Sequence, residues 1–173
     1  MPCQKDSRLV LSIYCNARGF AFVLFEGPFS PFDWGVHTLR GQRKKARSLI
    51  RIEAIIQRYV PDIIVLQDMS AGGTRRSSRI IALNLAIATL AAEHRIPVYT
   101  YSRTDVQNSF NGMDYANKHR MAELIAEQIP AFERHVPPPR KPWMSEDARM
   151  GLFDAAALGL VFFQRAGREA QKI

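Results

Sequence analysis

Three short stretches of this chain hold the residues best placed for chemistry. Asp154 sits in FDAAALGL, with Met150, Gly151, Ala157, Leu158 and Val161 as its helical neighbours. A carboxylate on an apolar stripe is costly unless it is paired or works. It reads either as a helix-edge aspartate bonded to a backbone group or an Arg, or as a carboxylate that binds metal or transfers protons. The other two stretches, Tyr14-Cys15-Asn16 and Gln67-Asp68, end apolar runs. In open α/β sheets, sites form beyond the carboxyl ends of central strands. Asp154 and Asp68 are therefore candidate catalytic and metal-binding acids.

A second kind of chemistry is electrostatic. The formal charge is +8, from 24 Lys and Arg against 16 Asp and Glu, which favours a polyanionic partner, most often nucleic acid. From Arg40 to Arg51 there are six basic residues and no acid. Arg43, Arg47 and Arg51 are spaced four apart, so a helix would set them on one edge. This edge reads as a solvated face or as a phosphate-contacting surface. Arg75, Arg76 and Arg79 form a further cluster. Phosphate contacts of this kind give affinity without sequence reading and weaken steeply with salt. Phe29, Phe32 and Trp34 read as core residues or as platforms for stacked bases.

The elements that must position these residues follow from the apolar pattern. Arg8 to Gly27 predicts a strand, a tight turn near Asn16–Gly19 and a second strand. Leu9, Leu11 and Ile13 alternate with Val10 and Ser12, and Phe20 to Phe25 is a continuous apolar run. A third strand is expected at Phe32 to Leu39. Gly41 then opens a helix to about Tyr59, with Leu49, Ile52, Ile56 and Tyr59 facing inward. Asp62 to Leu66 reads as a buried parallel strand, Ser77 to His94 as a helix, and Ile96 to Tyr101 as another strand. A short helix toward Phe110 follows. Asn117 caps a helix through Gln128, and Ser145 caps a last one to about Gln164, with Glu146 and Asp147 in its first turn. The proline-rich stretch from Ile129 to Pro142 is an irregular crossing loop. Residues 165–173 are expected to fray.

This order predicts an α/β fold: a mixed five-stranded sheet, part antiparallel meander and part parallel, with helices on both faces. That is the ribonuclease-H-like arrangement. A flavodoxin-like fold would need a helix between the first two strands, and the short turn leaves no room for it. The chain is expected to form one domain over residues 1–173. Cys3 and Cys15 supply neither a disulfide framework nor zinc-ligand spacing. The start lacks a secretory pattern, and the longest apolar run, Ile80 to Ala92, falls short of the ~20 residues that span a bilayer. A cytoplasmic protein with no membrane association is the default expectation.

The combination LSIYCNARGFAFVLFEGP, DWG, DIIVLQD, RRSSRI, YSRTDV and KPWMSEDARMGLFDAAALGLVFF resembles the RuvC-like group of Holliday-junction resolvases, within the ribonuclease-H-like superfamily. It spans nearly the whole chain in order. The resemblance implies endonuclease activity in DNA recombination. Carboxylates on the first strand, the central strand and the last helix would hold two Mg²⁺ ions for phosphodiester hydrolysis. It also implies a homodimer acting on branched DNA.

The last-helix aspartate matches Asp154, and the acid often found one turn earlier falls at Gly151. The central-strand glutamate falls at Gln67, with Asp68 beside it, and the first-strand aspartate falls at Tyr14. Lys118 matches a basic residue near the scissile phosphate, which makes it a candidate for catalysis and for nucleic-acid binding. An amide and a phenol are poor substitutes for hard Mg²⁺ ligands. Adjacent strand residues point to opposite faces, so Asp68 replaces Gln67 only if the strand ends one residue early.

Three functions stand beside one another. The first is a nucleic-acid-binding protein of branched or structured DNA with a degenerate two-metal site. The second is an active Mg²⁺-dependent endonuclease using Asp154 and Asp68. The third is a non-catalytic assembly protein that keeps the fold for partner contacts.

Overall fold

A computed structural model describes residues 8–70, 77–110 and 117–170. Three antiparallel strands come first: β1 (Val10–Asn16), β2 (Gly19–Gly27) and β3 (Ser30–Thr38). The helix α1 (Lys44–Tyr59), strand β4 (Ile63–Gln67), helix α2 (Ser78–Glu93) and strand β5 (Val98–Tyr101) follow. The chain then forms α3 (Arg103–Ser109), α4 (Lys118–Gln128), a 3₁₀ helix at Pro130–His135 and α5 (Met150–Ala170). The sheet order is β3-β2-β1-β4-β5, with β4 parallel to both β1 and β5. The expected mixed five-stranded sheet and its ribonuclease-H-like order are what the chain forms.

The hairpin turn is built by one side chain. Asn16 Oδ1 accepts from the backbone N–H of Arg18 at 2.9 Å and of Gly19 at 3.1 Å, an Asx-type closure. Gly19 has φ +152°, and a Cβ there would lie 2.1 Å from the His37 carbonyl oxygen. Only glycine lets β2 start beside β3.

Alternation along β1 divides the core. Leu11, Ile13 and Cys15 pack with α1 and α2, while Val10 and Tyr14 pack with α4 and α5. The α5 side is unusually close. A Cβ at Gly159 would stand 2.4 Å from a ring carbon of Phe25, so the helix backbone lies directly on that ring. The neighbouring Ala155, Ala156 and Ala157 are fully buried.

Several boundaries differ from expectation. β3 begins at Ser30, two residues early, because Phe29 turns the chain with φ 59° and Pro31 is tolerated on an edge strand. The helix expected from Gly41 begins at Lys44, since Gly41 (φ 83°) and Arg43 (φ 61°) are both left-handed. Arg43 therefore precedes the helix and does not share a stripe with Arg47 and Arg51.

The last helix begins at Met150, not after Ser145. Tight turns bring Met150 N–H to the Asp147 carbonyl and Gly151 N–H to that of Ala148. The same helix runs past the expected end at Gln164 to Ala170, so residues 165–170 are helical rather than a loose tail. Among the described residues, no helix is long and apolar enough to cross a membrane.

Candidate functional site

At the carboxyl end of β1 and β4, on the α5 side, the structure forms a cleft of about 70 Å³. Its lining includes Tyr14, Gln67, Arg103, Lys118 and Asp154. Each element delivers one of them. Tyr14 is 6% exposed near the end of β1, and Gln67 is 6% exposed as the last residue of β4. Lys118 opens α4, which Asn117 caps by accepting the Arg120 N–H on its side chain. Arg103 opens α3, which a Ser102–Asp105 capping box starts and an Asp105–Arg165 ion pair of 2.6 Å ties to α5.

The centre of the cleft is an ammonium between two acids. Lys118 Nζ lies 3.3 Å from Asp154 Oδ2 and 3.1 Å from Glu146 Oε1, and 5.7 Å from the centre of the Tyr14 ring. Burial by itself would lower the lysine's pKa. The electrostatic influence of Asp154 first, and then of Tyr14 and Glu146, outweighs it and holds the ammonium above the ordinary lysine range. The carboxylate on an apolar stripe is thus explained, because its partner arrives from another helix.

Glu146 is the residue that sequence reasoning misplaced. With the helix starting at Met150, Glu146 does not cap it and instead reaches Lys118. Asp147 spends its carboxylate on the backbone and guanidinium of Arg149. Arg103 was missed as well, and only its place at the start of a helix after a short strand could have signalled it.

Asp68 does not line the cleft. Its Oδ1 accepts from the Ser70 N–H at 2.8 Å and the Ser70 hydroxyl at 2.6 Å, closing the turn after β4. The strand does not end early, and Gln67 is the residue that faces the cleft. Gly151 leaves no acid one turn before Asp154. A Cβ there would meet Asn16 Nδ2 at 3.3 Å and Ala21 Cβ at 3.4 Å, so the hairpin occupies the space such a side chain would enter.

These residues can be weighed against the two Mg²⁺ ions expected from the resemblance. Asp154 is the one buried carboxylate among the described residues, and it faces an ammonium. No three His, Cys, Asp or Glu converge among those residues. Hard divalent cations need several oxygen anions. The described residues of the cleft do not fit a two-metal centre.

The basic residues lie elsewhere. Arg43 and Arg79 meet across a groove between the starts of α1 and α2, on the face opposite α5. Arg47 donates to the Arg40 carbonyl at 2.7 Å, and Arg51 Nη1 lies 3.2 Å from His37 Nδ1. Arg75 and Arg76 fall outside the described residues. Phe29 and Phe32 are 50% and 57% exposed rather than core, while Trp34 packs edge-on against Phe132.

Neither a protein-family model nor a curated protein sequence matches this chain. Solved structures do. RuvC of Thermus thermophilus in complex with Holliday junction substrate superposes with a TM-score of 0.67 at 18% identity, covering 92% of this chain and 96% of that one. A second Thermus thermophilus RuvC structure gives 0.61 at 22% identity, with the same coverage of both chains. The yeast mitochondrial Holliday junction resolvase gives 0.60 at 14% identity, over 96% of this chain and 84% of that one. The chain has the ribonuclease-H-like fold of these resolvases.

Proposed function

We propose that this chain binds branched DNA of the Holliday-junction type and that its former metal centre is held together by a lysine. The carrying observation is the Lys118 ammonium between Asp154 and Glu146, with Tyr14 and Gln67 at the two strand ends. Two carboxylates, the Lys118 ammonium and the Arg103 guanidinium leave the cleft close to neutral without a divalent cation. The +8 charge and the fold shared with junction-bound RuvC support the choice of ligand.

In this reading the cleft is a structural joint at the DNA-facing end of the sheet. Asp154 and Glu146 fix the start of α4 against α5, which sets the height of Lys118 beside Tyr14. Arg103, exposed at the cleft mouth, is placed to meet a backbone phosphate. Phosphodiester hydrolysis is not routed through these residues, since the described residues of the cleft offer neither a two-metal ligand set nor an acid in the place of Tyr14.

The test is a synthetic four-way junction, assayed for binding across a salt series and for cleavage across a Mg²⁺ and Mn²⁺ titration. Binding that weakens steeply with salt, without cleavage, is expected. Metal-dependent cutting that Asp154→Asn abolishes would make the chain a working endonuclease and overturn the proposal. Loss of all salt-dependent DNA binding would point to a partner-binding role.

A further inference from the structure

The groove on the opposite face supports more than diffuse attraction. It measures about 1010 Å³ and opens between the β1–β2 turn and the first turns of α1 and α2. Both helices are 16 residues long, and both direct their first backbone N–H groups toward this end. Neither carries an acid in its first turn, and α1 has no side-chain cap, because its cap position is the left-handed Arg43. The α1 start is thus rich in unclaimed donors. Arg47 keeps the preceding loop in shape through the Arg40 carbonyl.

Charge and burial supply independent observations. Arg43, Lys44, Lys45 and Arg79 line the groove, with no acidic residue among its described lining. Among the described residues none of the four is paired with a carboxylate, whereas the ion pairs of Lys118, Arg120 and Arg165 sit on the far face. At the floor lies Ser48, 1% exposed, whose hydroxyl has no hydrogen-bond partner among the described residues. A buried hydroxyl left without a partner costs free energy that a ligand oxygen would recover.

We propose that this groove is a phosphate seat, separate from the cleft, in which the α1 and α2 starts, Arg43, Lys45, Arg79 and the Ser48 hydroxyl bind one phosphate group. An uncapped helix start, unpaired cations and a buried donor match a tetrahedral oxyanion better than a carboxylate or a neutral ligand. If the nucleic-acid reading holds, a strand phosphate fills the seat; the geometry of the seat itself does not depend on it.

The experiment follows backbone amide NMR shifts of the full chain during titration with inorganic phosphate and, separately, with a single-stranded oligothymidylate. Saturable shifts centred on Lys44–Ser48 and Ser77–Arg79 are expected. A response to the oligonucleotide identifies a strand phosphate, and a response to inorganic phosphate alone identifies a soluble one. Ser48→Ala is expected to weaken binding about fivefold, and Arg43→Ala with Lys45→Ala about tenfold or more.

Ser48→Ala should leave the ligand-free melting temperature unchanged or raised, since it removes an unsatisfied hydroxyl, so lost binding is not lost folding. No shift at these amides with either probe, or binding indifferent to both variants, overturns the seat. Shifts in the groove without junction binding would retain the seat and remove the function proposed above. Junction binding that never perturbs the groove would do the reverse.

Discussion

In the cleft, Lys118 is enclosed by Asp154, Glu146 and the Tyr14 ring; in the groove, Arg43, Lys44, Lys45 and Arg79 face no acid. The two regions adjoin the end of the same strand, β1, from opposite faces of the sheet. At the ends of β1 and β4, the Lys118 ammonium meets the carboxylates of Asp154 and Glu146. Where the helices begin, the protein has left positive potential open. A polyanion would therefore gain more from the groove than from the cleft, although the cleft occupies the position usual for chemistry in this kind of sheet. Position within a fold and availability of charge are separate properties, and here they have separated.

The largest effect should come from stripping the groove. Arg43→Ala, Lys45→Ala and Arg79→Ala together are expected to lower junction affinity by about a hundredfold at moderate salt and, by emptying a seat for one phosphate, to reduce the log–log salt slope by about 1. The same measurement on Lys118→Met should leave the slope nearly unchanged, because that charge is already neutralised. Equal losses from both variants would erase the contrast.

Lys118→Met should instead act on stability. Removing one partner of a buried pair costs about 3–5 kcal/mol, and since Lys118 is about a third exposed, about 2 kcal/mol is expected. For a chain of this size that lowers the melting temperature by roughly 4–8 °C. Combining it with Asp154→Asn should return part of the loss, a coupling a double-mutant cycle in denaturant would read.

The sign with pH is fixed by the raised folded value. The pair's contribution is fully present below the ordinary lysine pKa and disappears only as pH climbs through the higher folded one. Urea midpoints measured from about pH 6 to about pH 9 should carry no change from this pair.

Gly151→Asp would put an acid one turn before Asp154, the arrangement expected of a two-metal nuclease. Its Cβ would press on Asn16 Nδ2 and Ala21 Cβ, so a loss of about 1–3 kcal/mol is expected with no metal-dependent cleavage gained. Thermal melts with and without Mn²⁺ would check this.

The smallest effect concerns His37, which stacks on Phe20 at 4.7 Å and lies beside Arg51. Burial, and then the Arg51 charge, push its pKa below the ordinary 6.5. Below pH 6.5 the unfolded chain takes up a proton that the folded chain resists, so stability should fall as pH drops through the window just under 6.5. His37→Gln should flatten that part of a urea-midpoint profile against pH.

The fold was legible where local pattern and tertiary packing agree. The Asn16–Gly19 turn and the alternation in β1 announced the hairpin, and Asp154 stood out because its helical neighbours are apolar. Glu146 was not legible, because a Ser-Glu-Asp run looks like a helix start. Its actual partner, Lys118, lies on another helix, and no short-range period encodes that pairing. Ser48 was equally silent. A serine in a basic helix reads as solvated until α2 and the hairpin turn close over it. Phe32 misled in the other direction, since β3 is an edge strand where its ring leans on Tyr59 and stays half open to solvent.

The placement of α5 against the sheet has a temporal side. Every described residue lining the groove lies between Asn16 and Leu83, whereas the cleft requires Tyr14 to meet Asp154 and Leu158. Local hairpins and nearby crossovers close early, and contacts of long sequence separation close late. During synthesis from the N-terminus, every described residue of the groove is made before the last helix. The nascent chain thus carries its basic run, Arg40 to Arg51, while the apolar side of β1 and β2 still awaits α5.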